Sequence, residues 1–278
     1  MSVPFLFQQV DVFAENPMQG NALAVVSNAD DLTEAQMAAF ARWTNLSETT
    51  FLLRPSVAEA DYQVRIFTPQ RELPFAGHPT LGSCYTWLAD GGSARKQEIV
   101  QECGAGLVRI RRDDNRLAFA APPLIRSGVV DATTLQRIAR GLGIHPRHIC
   151  ASNWVDNGPG WVAVMLSTRD EVLALRPDYS ALAGLNVGVL GKWTGPGAEA
   201  DVEVRAFMGD EYAEDPVTGS LNASLAQWLI AEGELPERYV SSQGTAIGRR
   251  GRVWVERAGT TIWVGGQVQP CISGTVYL

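Results

Sequence analysis

The chain has 278 residues, 46% of them hydrophobic and 19% charged, with a net charge of −7 and an isoelectric point near 5.1. That supply of apolar side chains supports a full core and excludes an intrinsically disordered chain, while the acidic balance excludes the basic footprint of a nucleic-acid-binding surface. No apolar run approaches the ~20 residues that a membrane-spanning helix requires. The start, Met1-Ser2-Val3-Pro4-Phe5, lacks the basic region, apolar stretch and cleavage site of a signal peptide. Cys84, Cys103, Cys150 and Cys271 form no C-x-x-C pair and read as reduced thiols. The expectation is a cytoplasmic protein without a nucleic-acid or membrane partner.

In chain order, Phe5–Phe13, Ala22–Val26, Thr50–Leu53 and Tyr62–Phe67 read as strands, several with period-2 alternation. Thr33–Arg42 reads as a helix opened by a Thr33/Gln36 capping box. Thr80–Ala89 is apolar almost all round, so it predicts a buried central helix. The next predicted strands are Glu98–Cys103, Gly106–Arg111 and Leu117–Ala120. An amphipathic helix follows over Asp131–Leu142, ending at Gly143. Beyond it come strands at Ile149–Asn153, Gly160–Leu166, Val187–Lys192 and Val202–Phe207, with short helices near Asp170–Leu175 and Tyr179–Ala183. Gly219–Glu232 predicts a second buried helix, and Arg252–Glu256, Thr261–Val264 and Thr275–Leu278 close the chain as strands. The eight Trp residues read as mostly core or interface by default, with one or two left to line a cleft.

An internal repeat organises these elements. Arg65-Ile66-Phe67, then Gly77-His78-Pro79-Thr80, lead into the first apolar helix. Arg205-Ala206-Phe207, then Asp215-Pro216-Val217-Thr218-Gly219-Ser220, lead into the second. Two copies of one unit imply an α+β fold of two pseudo-symmetric halves, about 1–125 and 126–278, with the last strand free to cross to the first half. Aligned on Pro79 and Pro216, the copies make both prolines first helical residues, a position where a missing N–H costs nothing. The N–H groups of Thr80, Leu81, Gly82, Val217, Thr218, Gly219 and Ser220 would then form anion-binding nests.

The residue before each proline is His78 in one copy and Asp215 in the other. Asp215 reads either as an N-cap or as a site carboxylate. His78 is a poor cap, which favours a hydrogen-bonding or base role over satisfaction of a buried carbonyl. Glu48 stands before the apolar Phe51-Leu52-Leu53 and reads either as a solvated turn residue or as a carboxylate tuned upward by desolvation for proton transfer. His145 and His148 read as surface or structural, and no metal-ligand spacing or nucleotide-binding loop is present.

Together these segments resemble the PhzF-like (phenazine biosynthesis) family of the diaminopimelate-epimerase fold superfamily. The motifs are Asp11-Val12-Phe13 with Gly20-Asn21, Asn45-Leu46-Ser47-Glu48-Thr49, Phe67-Thr68-Pro69 through Glu72 to Pro79, Asn157-Gly158-Pro159, Glu214 to Ser220, Gln243-Gly244, and Gly274-Thr275-Val276. The resemblance spans essentially the whole chain. It implies two halves, each a curved, mostly antiparallel sheet rolled around a central helix, with the active site in the cleft between them. It also implies an isomerase without cofactor or metal that shifts a proton on a small amino or hydroxy carboxylate, and a homodimer. Glu48, His78 and Asp215 match the family's catalytic residues, and Gly77, Thr218, Gly219 and Ser220 its substrate-holding loops.

Related amino-acid epimerases use two opposed cysteines in these loops. Here neither loop holds a thiol, so an epimerase is the weaker reading. A non-catalytic small-ligand binder on the same fold is the other alternative, and the presence of Glu48, His78 and Asp215 together weighs against it.

Overall fold

The computed structural model describes residues 3–94 and 96–278; Met1, Ser2 and Arg95, and with them the reading of the first two residues, lie outside the described residues. The chain divides into two units, one of Met1–Ala120 with Gly265–Leu278 and one of Ala121–Val264.

The first unit runs β1 (Pro4–Val12), β2 (Asn21–Ser27), α1 (Glu34–Thr44), β3 (Glu48–Leu53), β4 (Tyr62–Phe67), β5 (Glu72–Leu73), α2 (Gly77–Ala89), β6 (Ile99–Cys103), β7 (Gly106–Asp113) and β8 (Arg116–Ala120). β1 and β2 are antiparallel, β2 and β3 parallel, β3 and β4 antiparallel; β4 pairs parallel with β6, and β6, β7 and β8 follow as antiparallel neighbours.

The second unit runs β9 (Arg126–Gly128), α3 (Ala132–Leu142), β10 (Ala151–Asp156), β11 (Trp161–Thr168), α4 (Arg169–Ala174), α5 (Tyr179–Leu182), β12 (Asn186–Lys192), β13 (Val202–Met208), β14 (Ala213–Asp215), α6 (Gly219–Ala231), β15 (Arg238–Gln243), β16 (Gly251–Ala258) and β17 (Thr261–Gly266). Its order of pairing repeats the first: β10 and β11 antiparallel, β11 and β12 parallel, β12 and β13 antiparallel, β13 and β15 parallel, β15 and β16 antiparallel. β18 (Val268–Tyr277) belongs to the first unit and lies antiparallel to β1.

Each unit wraps its sheet around one apolar helix. α2 touches β1, β2, β3, β4, β8 and β18, and its residues Gly77–Cys84 are all buried. A methyl group on Gly82 would stand 2.5 Å from Leu23 Cδ2, so the small residue lets the helix sit directly on β2. In the second unit the small residue is on the strand instead, where a Cβ on Gly188 would meet Leu221 Cδ1 of α6 at 2.5 Å. The outer face of each sheet is covered too. In the first unit Met37, Phe40 and Ala41 of α1 pack on Phe5, Val26, Phe51 and Phe67. In the second, Ile138 and Leu142 of α3, Val172 of α4 and Leu182 of α5 pack on Val162, Val164, Val187, Val189 and Phe207. Strands sandwiched this way are apolar on both faces, which explains the continuous run Trp161–Leu166.

The helix signals read well from sequence. Both halves of the Thr33/Gln36 capping box form, Asp131 caps α3 through Thr134 N–H, and Gly143 ends α3 in the left-handed conformation. Two expectations need correction. α2 starts at Gly77, so Pro79 is its third residue; its missing N–H is still among those without a helical partner. α6 starts at Gly219 after Thr218, which leaves Pro216 outside it and Asp215 at the end of β14 rather than at a cap. Trp43 is 80% exposed, stacked on Phe40, whereas Trp161, Trp228 and Trp263 are buried.

Candidate active site

In the first unit the site follows from sheet register. β2 and β3 run parallel with Leu23 beside Glu48. Leu23 lies under Gly82 of α2. Asn21 is two residues before Leu23 and so shares its face; His78 is four residues before Gly82, one turn earlier on the same helix side. Two strand residues advance about 6.6 Å and one helical turn about 5.4 Å, so the second pair meets because the first does.

The side chains bear this out. Asn21 Nδ2 lies 3.3 Å from His78 Nδ1, and His78 Nε2 lies 3.3 Å from Glu48 Oε2, without the alignment of a full hydrogen bond. His78 is 4% exposed and the Glu48 side chain 16%. Desolvation lowers the His78 pKa from 6.5 to about 3, so the imidazole is neutral at ordinary pH. A carboxylate next to a neutral imidazole, with one side reached by solvent, is equipped to take up and release a proton. Thr80 N–H is already bonded to Ala76 O at 3.1 Å, so the donors offered by the first turn of α2 are those of Gly77 and His78, not Thr80, Leu81 and Gly82.

In the second unit Asp215, Thr218, Gly219 and Ser220 lie together at the start of α6. Thr218 Oγ1 donates to Asp215 Oδ2 at 2.6 Å. Gln243, fully buried, fixes this turn: its Oε1 accepts from Thr218 N–H at 3.1 Å and from Asn222 Nδ2 at 2.9 Å, and its Nε2 donates to Thr218 Oγ1 at 2.9 Å and to Asp215 O at 3.1 Å. Asn222 N–H is taken by Thr218 O, and Thr218 N–H by Gln243, which leaves Gly219, Ser220 and Leu221 to offer the N–H groups of the first turn. Ser220 Oγ accepts from Trp161 Nε1 at 3.1 Å and keeps its own O–H as a donor.

A buried ion pair anchors the loop in this unit. Arg205 holds Glu214 through two bonds of 3.0 and 2.7 Å and spends its third nitrogen on Val172 O and Leu175 O. Arg65 and Glu72 make the same pair in the first unit, at 2.7 and 2.6 Å. This corrects the alignment of the repeat. Glu72 and Glu214 each stand five residues before the first helical glycine, so Gly77 equates with Gly219, His78 with Ser220, and Asp215 with Leu73. The prolines that correspond are Pro74 and Pro216.

Asn21, Asn222 and Gln243 were not assigned roles from sequence. The available signal was a carboxamide inside or next to an apolar run, such as Asn21 before Ala22-Leu23-Ala24-Val25-Val26. Cys84, Cys103, Cys150 and Cys271 are all free thiols. His145 and His148 sit in an exposed 3₁₀ turn, and among the described residues no group of His, Cys, Asp or Glu could hold a metal ion. No helix among them is long and apolar enough to cross a membrane.

Comparison with known proteins gives the family and the fold. A relative in Schizosaccharomyces pombe, antisense-enhancing sequence 1, is 33% identical over 98% of both chains. The trans-2,3-dihydro-3-hydroxyanthranilate isomerase of Pseudomonas aeruginosa is 32% identical over 97% of this chain and 98% of its own. A crystal structure of a PhzF-family phenazine biosynthesis protein from Enterococcus faecalis superimposes with a TM-score of 0.82, at 25% identity, covering 99% of this chain and all of the other. The fold is the α+β fold of diaminopimelate-epimerase type, and the protein is an enzyme of the isomerase class. The phenazine biosynthesis-like protein family, PhzC-PhzF, matches residues 10–269, and the chain belongs to it.

Proposed function

We propose that this protein is a cofactor-independent isomerase that shifts a proton on a small amino or hydroxy carboxylate, with Glu48 as its acid and base. The observation that carries the reading is the pair of half-buried Glu48 and buried, neutral His78, 3.3 Å apart beside the first turn of α2. Glu48 takes a proton from a carbon made acidic by conjugation and returns it elsewhere on the same molecule. His78 holds the carboxylate through that change of charge. Asp215, oriented by the Thr218 hydroxyl, takes a substrate amino or hydroxyl group. Ser220 and the open N–H groups of Gly219 and Leu221 offer donors to an anionic group of the substrate, and Gly77 N–H offers another at the start of α2. Acid–base transfer of this kind contributes ~10²–10⁴-fold, and preorganised dipoles must supply the rest. The proposed location is the cytoplasm.

Trans-2,3-dihydro-3-hydroxyanthranilate, which the Pseudomonas relative is named for, is the first compound to test. A panel of small unsaturated amino and hydroxy carboxylates follows, after dialysis against a chelator. The expected result is turnover by the dialysed wild type on at least one compound and a loss of a hundredfold or more in Glu48→Gln. Wild-type turnover in that variant, or inactivity toward the whole panel, contradicts the proposal. The proposed assembly is a homodimer; light scattering that gives the mass of a single chain would contradict it.

A further inference from the structure

We infer that Asn21 is a positioning residue that sets the tautomer of His78, keeping the ring proton on Nε2, the nitrogen that faces Glu48. The inference rests on the role proposed for Glu48 and adds a residue that acts only through the imidazole.

The hydrogen-bond chemistry runs in one direction. An amide nitrogen carries only donors, so Asn21 Nδ2, 3.3 Å from His78 Nδ1, needs a bare ring nitrogen to receive its hydrogen. A neutral imidazole carries one proton, which must then sit on Nε2. Nε2 faces Glu48 Oε2 at 3.3 Å, and a carboxylate oxygen is an acceptor. In this tautomer Nδ1 accepts from Asn21, and the Nε2 proton is on the side of an acceptor, without the alignment of a full hydrogen bond. The burial that keeps the ring uncharged makes the choice of tautomer the only freedom left to it.

Asn21 is itself held from two sides. Asp11 Oδ2 accepts the N–H groups of Gln19 at 2.7 Å and Gly20 at 2.8 Å, which clamps the turn that delivers Asn21 into β2. A Cβ on Gly20 would lie 2.1 Å from Val12 O, so the turn closes tightly on β1 just before Asn21. On the other side, Leu23 seated under Gly82 fixes the register of β2 beneath α2. Neither contact involves substrate. Together they aim an amide donor at one ring nitrogen.

The competing arrangement turns the amide over, with its oxygen accepting from Nδ1–H, and leaves Nε2 bare toward a protonated Glu48. Nitrogen-15 NMR of the histidine-labelled wild type distinguishes the two without any substrate. A proton on Nε2 is expected; a proton on Nδ1 overturns the inference. Asn21→Asp is nearly isosteric but presents an acceptor, so it should put a proton on Nδ1, whether by tautomer exchange or by charging the ring. Charging the ring weakens Glu48 as a base, and a bare Nε2 leaves the carboxylate without its facing donor, so turnover should fall tenfold or more with KM within about threefold of wild type. An unchanged ring spectrum in a folded Asn21→Asp protein overturns the inference, as does wild-type turnover once the Nδ1 proton is present. If Asn21→Asp does not fold, the wild-type spectrum alone decides. Wild-type turnover in Glu48→Gln would refute the role of Glu48 while leaving the tautomer assignment intact, so the two failures are distinguishable.

Discussion

His78 shows how a single buried residue couples chemistry to stability. Its pKa falls from 6.5 to about 3 because desolvation penalises the imidazolium. Below pH 6.5 the unfolded chain takes up a proton that the folded ring refuses, so folding stability drops as pH falls from 6.5 toward 3. At ~1.4 kcal/mol per unit the full window is worth on the order of 4–5 kcal/mol. Urea midpoints of wild type and His78→Gln between pH 7 and 4 isolate this contribution, since the remaining carboxylates titrate in both. The variant should lose stability less steeply over that range, and identical slopes would contradict the burial of a neutral ring. Glu48 and His78 were legible as candidates because each is chemically out of place locally, a carboxylate before an apolar strand and an imidazole where a cap belongs. Asn21 was not, because its partner lies 57 residues away and is brought to it only by the register of β2 under α2.

Among the elements, the starts of α2 and α6 hold the proposed functional residues of their units, and here local sequence was a partial guide. Proline and glycine marked both regions, yet Pro79 lies inside α2 and Pro216 outside α6. The decision was made by long-range partners that no window contains. Gln243 of β15 ties down Thr218 from 25 residues away, which puts the cap at Thr218 and frees Asp215 to end β14. Thr218→Val removes both the acceptor for Gln243 Nε2 and the donor to Asp215, and should cost about 1–3 kcal/mol in chemical denaturation. Thr218→Ser keeps the hydroxyl and should recover most of that loss; equal destabilisation by both variants would assign the effect to packing instead. The close seat of α2 on β2 is tested by Gly82→Ala. Its methyl would be 2.5 Å from Leu23 Cδ2 and 3.0 Å from Val10 and Val12 Cγ2, and such overpacking costs about 1–3 kcal/mol. A Gly82→Ala protein as stable as wild type would contradict that seat, because glycine inside a helix is otherwise a liability.

For the whole molecule, the repeat read from two short loops extends to the order and sense of the strands in each unit. The α+β architecture was legible because continuous apolar runs and two all-round apolar helices admit few other arrangements. The missing pieces were strands with weak local signals. Arg238–Gln243 alternates little, and Val268–Tyr277 is punctuated by Pro270, Ser273 and Gly274, so only its last residues were predicted. β18 forms because β1 offers it a complete edge, with a bulge between Gln9 and Val10 that absorbs the irregularity near Pro270. The proposed chemistry needs Glu48 as the group that moves the proton, and isotope exchange reads this most directly. Substrate incubated with enzyme in heavy water should gain deuterium at the carbon that receives the returned proton in wild type, and gain none above background in Glu48→Gln. Deuterium uptake by a folded Glu48→Gln protein at the wild-type rate would contradict the account.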